Sequence, residues 1–467
     1  MADGKHGDVP LLISDVRQDR PHDLSELTSV RQGSCSGFVM DGRIADSPTV
    51  ASKVNATVNS QRHRLSVIVF AVCALLLAFA ASRWSELLSA EFRMLRGSFN
   101  VVLLIYLFLL NIRGWRAGNI SYIKMFELDN DWTVWNSVSG VSMHTGFLWS
   151  FGCSVTLLLC ALNRTTAVSY VPVMLWVALF TYFVWPFKSY FFESRMWMIN
   201  VLYRILVSPI HEVSFADFWV ADQLNSLASV FVDFEFSMCF LVGLGSYSVA
   251  DLKEMPVCRI ATWNSQLILA ALPAWWRFAQ CLRCYYDTKE IPHLLNAGKY
   301  FSTFPTIVAA GMLATAQLNR PHAWQTGPEF HIWLYTTVFR AVYVYVWDVR
   351  MDWGFFKCNS FPCSPVRSKH PFLRTHLLFS PHWVYYGMIL LDLVLRFSFL
   401  VKLCPVIFGM VPGDVFFSIL LTMEVVRRFL WNFFRLEYEQ TKSMPEDAPT
   451  KSRQFSAGNT PTLPHEM

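Results

Sequence analysis

The stretch that decides the fold is FSILLTMEVVRRFLWNFFRLE, residues 417–437. Its first half is apolar enough for a membrane helix, yet Glu424, Arg427 and Arg428 stand inside it. A charge in the hydrocarbon core costs roughly 2.5–3.5 kcal/mol on insertion scales. Three such residues within one turn do not face lipid; they face protein or water inside a bundle. Glu424 lies three and four residues before the two arginines, within ion-pair reach of both. The same pattern recurs elsewhere. Asp222 and Arg277 border apolar runs in the middle of the chain, and Asp348 and Arg396 do so near its end.

Composition agrees with a membrane protein. The chain has 467 residues, 54% of them hydrophobic and only 16% charged. A soluble domain carries about 25% charged residues. The 39 Phe and 18 Trp suit lipid-facing and interfacial positions. Strand-period alternation is not sustained, so the expected class is an all-α, polytopic membrane protein. The net charge of +5 does not suggest nucleic-acid binding. The eleven cysteines are scattered without the spacing of a zinc site, so they read as ordinary thiols and no metal or other cofactor is expected.

Residues 1–64 are polar and aperiodic, which predicts a disordered arm without a signal peptide. The tail 441–467 reads likewise. Between them, 20-residue hydropathy predicts about ten spans, near 65–82, 98–113, 143–162, 168–187, 218–245, 261–280, 301–318, 330–347, 383–403 and 406–425. The second is short, and polar residues interrupt the fifth. Lys and Arg are about twofold more abundant in the loops on the side of the N-terminus, which places both termini in the cytosol. The segment Lys188–Ile210 mixes charges with aromatics, as an interfacial helix or a membrane-dipping connector would.

Individual polar residues admit two readings each. FADFWVADQLNSL places Asp222 and Asn225 at i and i+3, on one helical face, where they could glue helices together or line a path. In PAWWRFAQCLRCYYDTKEIPHLLNAGKY, Arg277, Lys299 and Tyr300 could snorkel or point inward. WDVRMDWGFF puts Asp348 and Asp352 at i and i+4, suited to anchoring arginines. Arg396, in LLDLVLRFSFL, needs an acidic partner or an anionic ligand. Arginine's planar fork of donors matches phosphate oxygens. His293, His376 and His382 lie near membrane boundaries, but no nucleophile or metal partner stands at a useful spacing, so an enzyme is not expected.

These strings, with RRFLWNFFRLE, resemble in order the hallmark segments of the EXS-domain family over residues 185–440. That family includes the phosphate exporter also known as the xenotropic and polytropic retrovirus receptor, plant phosphate exporters and a yeast Golgi retention protein. The resemblance implies a four-helix region at 65–187 followed by an EXS domain at 188–440. It also implies that Asp222, Asn225, Arg277, Lys299, Tyr300, Asp348, Asp352, Arg396, Glu424, Arg427 and Arg428 line a path for inorganic phosphate. Acids would temper the cations, while Tyr300 and Asn225 would donate neutral hydrogen bonds. Trp347 and Phe399 would be candidates for a gate.

This chain departs from the exporters in three places. It has Arg283 then Cys284 where they carry two arginines, and Phe399 where they carry Trp. Residues 1–64 are too short and polar for their inositol-pyrophosphate-sensing SPX domain, so the architecture resembles the SPX-less Golgi branch. The alternative expectation is therefore a non-transporting Golgi protein that sorts or retains lumenal proteins or glycosylation enzymes. Golgi and plasma membrane both fit. A homodimer through the first span, which carries Ala71, Ala74, Ala78 and Ala81 at helical spacing, is a further expectation of the resemblance.

Overall fold

The computed structural model describes residues 50–83, 85–162, 165–243, 265–320, 323–356, 370–403 and 413–442. All of them belong to one compact unit, Gly33–Met467. Among the described residues every regular element is helical. They are α1 (Val50–Arg83), α2 (Ser85–Ala117), the short α3 (Tyr122–Met125), α4 (Asp131–Ala161), α5 (Thr165–Val184), α6 (Phe192–Leu206), α7 (Phe215–Ser226) and α8 (Ala228–Gly243). There follow α9 (Ser265–Thr288), α10 (Ile291–Phe301), α11 (Thr303–Asn319), α12 (Pro328–Trp347), α13 (Trp383–Arg396) and α14 (Gly413–Lys442). The protein is an all-α polytopic membrane protein.

Among the described residues, five segments are long and apolar enough to cross a membrane: Gln61–Ala81, Ala90–Ala117, Asp131–Ala161, Ala167–Val184 and Ile291–Asn319. The pair α7 and α8, bent by 64°, makes a sixth if counted as one span. The expected ten is not reached by length and hydropathy alone. α13 has 14 residues, and α14 carries Glu424, Arg427, Arg428, Arg435, Glu437 and Glu439, which lower its hydropathy.

Several boundaries differ from the sequence reading. Helix α1 begins at Val50, inside the stretch expected to be a disordered arm; residues 1–49 and 443–467 lie outside the described residues. The interruption expected in the fifth span is the break at Leu227 between α7 and α8. Irregular backbone at membrane depth is tolerated where protein covers it, and Leu227 is buried. Cys239 and Cys284 are each disulfide-bonded, which corrects their reading as ordinary thiols; Cys73, Cys153 and Cys281 are free. Asp348–Asp352 form a π-helical turn at the end of α12.

Local chemistry sets where helices start. At α7, Ser214 Oγ accepts from Asp217 N and Asp217 Oδ2 accepts from Ser214 N, a reciprocal cap. At α4, Asn130 Oδ1 accepts from Thr133 N at 2.8 Å. Prolines open α10 and α12, where their missing N–H costs nothing.

Two cores hold the helices. One joins α1, α2, α4 and α5 through Phe70, Leu77, Tyr106 and Trp149. The larger is an aromatic layer of Trp115, Phe126, Trp219, Trp353, Tyr385 and Trp431, which ties α2 and α7 to α13 and α14. A polar seam crosses it. Asn432 Nδ2 donates to Asn111 Oδ1 at 3.0 Å, and Gln223 Nε2 donates to Asn432 Oδ1 at 3.0 Å. The loop before α6 is stapled by Arg195, whose buried guanidinium donates to the carbonyls of Tyr182, Phe183, Trp185, Phe187, Ser189 and Tyr190. On α1, Leu65, Ile68, Leu75 and Phe79 are exposed, as a lipid-facing stripe requires.

Candidate functional site

The break at Leu227 leaves α7 as a half-helix whose buried Asp222 faces α9 and α10. Arg277, four residues after the internal Pro273 of α9, points back at it. Arg277 Nε donates to Asp222 Oδ1 at 2.8 Å, and Tyr300 Oη donates to the same oxygen at 2.5 Å. Arg277 Nη1 donates to Gln280 Oε1 at 2.7 Å. Asn225 Nδ2 donates to Ala221 O at 3.0 Å and to Pro273 O at 3.3 Å. The hydrogens of Tyr300 and Asn225 are thus committed within the protein. These two residues position Asp222 and the proline step of α9.

A second network lies where α12, α13 and α14 meet. Glu424 grips Arg427 with both oxygens, at 2.7 and 2.8 Å. Arg427 Nη1 donates to Asp392 Oδ1 at 3.1 Å and stands 3.6 Å from Asp348 Oδ2. Arg396 donates to Asp348 and lies 3.9 Å from Asp392. Arg427 and Asp392 are fully buried, and Asp348 nearly so. Asp352, one turn after Asp348, sits 3.9 Å from Arg435 Nε.

Between these two networks stand two cations with no ion pair among the described residues. Lys299 Nζ lies 4.4 Å over the Tyr300 ring and 5.1 Å from that of Trp347. Arg428 donates through Nε to Ser226 Oγ at 3.0 Å and stacks on Trp431 at 4.5 Å. Both are nearly buried. Asp352 acts most strongly on Lys299, and the charges of both cations reach Asp222 on one side and Asp348 on the other. Ser226 in turn donates to Glu424 Oε1 at 3.1 Å, which links the networks through the α7 break.

All eleven residues singled out by sequence therefore fall in or beside this region, with different tasks. Arg277, Arg396 and Arg427 are held by acids, whereas Lys299 and Arg428 are not. Asp392 was missed, although an aspartate four residues before Arg396 in an apolar run was a visible signal. Gln280 and Ser226 carried no such signal. Arg340, a lone arginine in the α12 run, was also passed over. Asp222, Asp348, Asp352, Asp392 and Glu424 formally balance Arg277, Lys299, Arg396, Arg427 and Arg428. Charge balance at this depth keeps the bundle from paying the full cost of buried ions.

These features define a multi-pass membrane protein with a balanced ionic interior and two cations left unclaimed. The chain belongs to the EXS family, which matches residues 91–441. The match begins in α2, upstream of Lys188, where the sequence reading opens the EXS segment. The xenotropic and polytropic retrovirus receptor 1 homolog of Xenopus laevis is 33% identical over 365 residues, covering 76% of this chain and 51% of that protein. Solute carrier family 53 member 1 is 34% identical over 374 residues in Cricetulus griseus and 33% over 376 in Homo sapiens, with the same coverage. The chain spans about half the length of these curated relatives.

Proposed function

We propose that this chain is a transporter or channel that moves inorganic phosphate across a membrane by way of Lys299 and Arg428. The observation that carries this reading is the placement of two unclaimed cations between two acid-paired networks. Phosphate near neutral pH is a mono- or dianion, and both forms accept charge-assisted hydrogen bonds. Conduction requires that an ion be held weakly enough to leave. Acids occupy Arg277, Arg396 and Arg427, so the ion meets two free cations rather than five. The EXS kinship supports phosphate as the substrate, and the solute carrier relatives support transport. Both termini are assigned to the cytosol and the membrane to Golgi or plasma membrane, with ten crossings and a homodimer through α1 as parts of the same reading.

The test is radiolabelled phosphate efflux from proteoliposomes that contain the purified chain. Efflux above that of protein-free vesicles, lost on Lys299→Gln while insertion is retained, is the expected result. Vesicles no leakier than empty ones refute the proposal. A protein that only retained or sorted Golgi enzymes would keep its role in Lys299→Gln.

A further inference from the structure

Helix α12 divides into two stripes. Ile332, Tyr335, Phe339, Val342 and Val346 are exposed and recur at three- and four-residue steps, so they share the outward face. Trp333, Thr337, Arg340, Val344 and Trp347 recur in the same way on the opposite side. Contacts fix both ends of this second stripe. Trp347 lies 5.1 Å from Lys299 Nζ. Two turns beyond Arg340 in the other direction, Trp333 meets Phe399 edge to face, with 6.3 Å between ring centres. Arg340 is midway between these two anchors.

The groups around Arg340 are short of acceptors. Its Nε donates to Thr303 Oγ1 at 3.1 Å, and it has no ion pair among the described residues. Arg396 and Arg427 repel it, and Glu424 attracts it. Thr303 accepts from Arg340, which leaves the hydroxyl proton of Thr303 without an acceptor among the described residues. The Thr337 hydroxyl is buried without a partner among the described residues. Thr337 is one turn before Arg340, the direction in which long helical side chains lean. Guanidinium N–H groups and two hydroxyls are thus free to donate, and this charge exceeds the balanced set of the two networks.

We propose that Arg340, Thr303 and Thr337 form a further oxyanion station, between Lys299 and the Trp333–Phe399 end of the path. It takes the transported phosphate itself, so it rests on the transport reading above. An ion leaving Lys299 and Arg428 then finds a third cation two turns along α12 rather than a stretch of apolar wall. Several weak stations in series satisfy both entry and release.

Phosphate flux is measured against phosphate concentration in proteoliposomes holding the full chain as wild type, Arg340→Gln, Arg340→Lys or Thr337→Val. Arg340→Gln is expected to raise KM about tenfold, as loss of one charge-assisted hydrogen bond would. Lysine at 340 should recover part of this, and Thr337→Val should raise KM about fivefold. A packing defect would lower only the active fraction and leave KM alone. Should Arg340→Gln fail to insert, the nearly isosteric Thr337→Val carries the test. Wild-type flux with an unchanged KM in Arg340→Gln and Thr337→Val overturns the station and leaves transport standing. Absence of flux in the wild type overturns the transport reading instead, and the station falls with it.

Discussion

Replacing Arg427 with Gln should damage the fold, whereas replacing Arg428 with Gln should damage transport. The two arginines are neighbours in α14, but their surroundings differ. Arg427 is gripped by Glu424 at 2.7 and 2.8 Å and by Asp392 at 3.1 Å. Without it, Asp392 keeps only Arg396 among the described residues, at 3.9 Å. Removing one partner of a buried ion pair costs about 3–5 kcal/mol. Glu424 has a 35% exposed side chain, so water recovers part of its loss. The lower end, about 3 kcal/mol, therefore applies, a large share of a stability of about 5–15 kcal/mol. Arg428 loses one hydrogen bond to Ser226 and its stack on Trp431, about 1–2 kcal/mol together. The assay pairs thermal unfolding of the purified protein with phosphate efflux from proteoliposomes. Arg427→Gln should unfold at clearly lower temperature, and adding Asp392→Asn should recover much of the loss. Arg428→Gln should insert normally and lose about tenfold or more of its flux. Wild-type stability in Arg427→Gln, or wild-type flux in Arg428→Gln, would refute the reasoning.

Other perturbations test neighbouring claims. Asp348→Asn releases Arg396 from its closest acid, so phosphate should be held more tightly and released more slowly; KM and maximal rate should both fall by about fivefold, and no change in either defeats the tempering role. Arg195→Lys offers three donors from one point in place of a fork spanning six carbonyls; about 3 kcal/mol of stability should be lost in thermal unfolding, with flux per inserted molecule unchanged. Gly114→Ala would place its Cβ 2.2 Å from Phe433 Cε1, where α2 meets α14; overpacking there should cost about 1–3 kcal/mol, read as a lower unfolding temperature.

Much of the candidate site was legible because charge is costly in an apolar run. Asp222, Arg277, Asp348, Arg396, Glu424, Arg427 and Arg428 each stood out for that reason. The same rule applied to Asp392 and Arg340, each a charge inside an apolar run, though neither was singled out. Asp348 and Asp352 each lie by an arginine, Arg396 and Arg435, partners that spacing alone did not name. Spacing did serve at Glu424 and Arg427, because an i, i+3 pair on one continuous helix needs no tertiary contact to form.

The amino-acid sequence alone determined that this chain is an all-helical membrane protein with ionisable residues turned inward. Hydropathy and the cost of burying charge are local properties, readable residue by residue. The tertiary structure decided which cations are claimed and which are free. Arg277 meets Asp222 across 55 positions and Arg427 meets Asp392 across 35, while Lys299 and Arg428 feel nearby acids without a direct ion pair to any of them among the described residues. Ion pairing falls off over a few ångströms, so the difference between a structural arginine and an available one is set by helix packing, not by the residue or its neighbours in the chain.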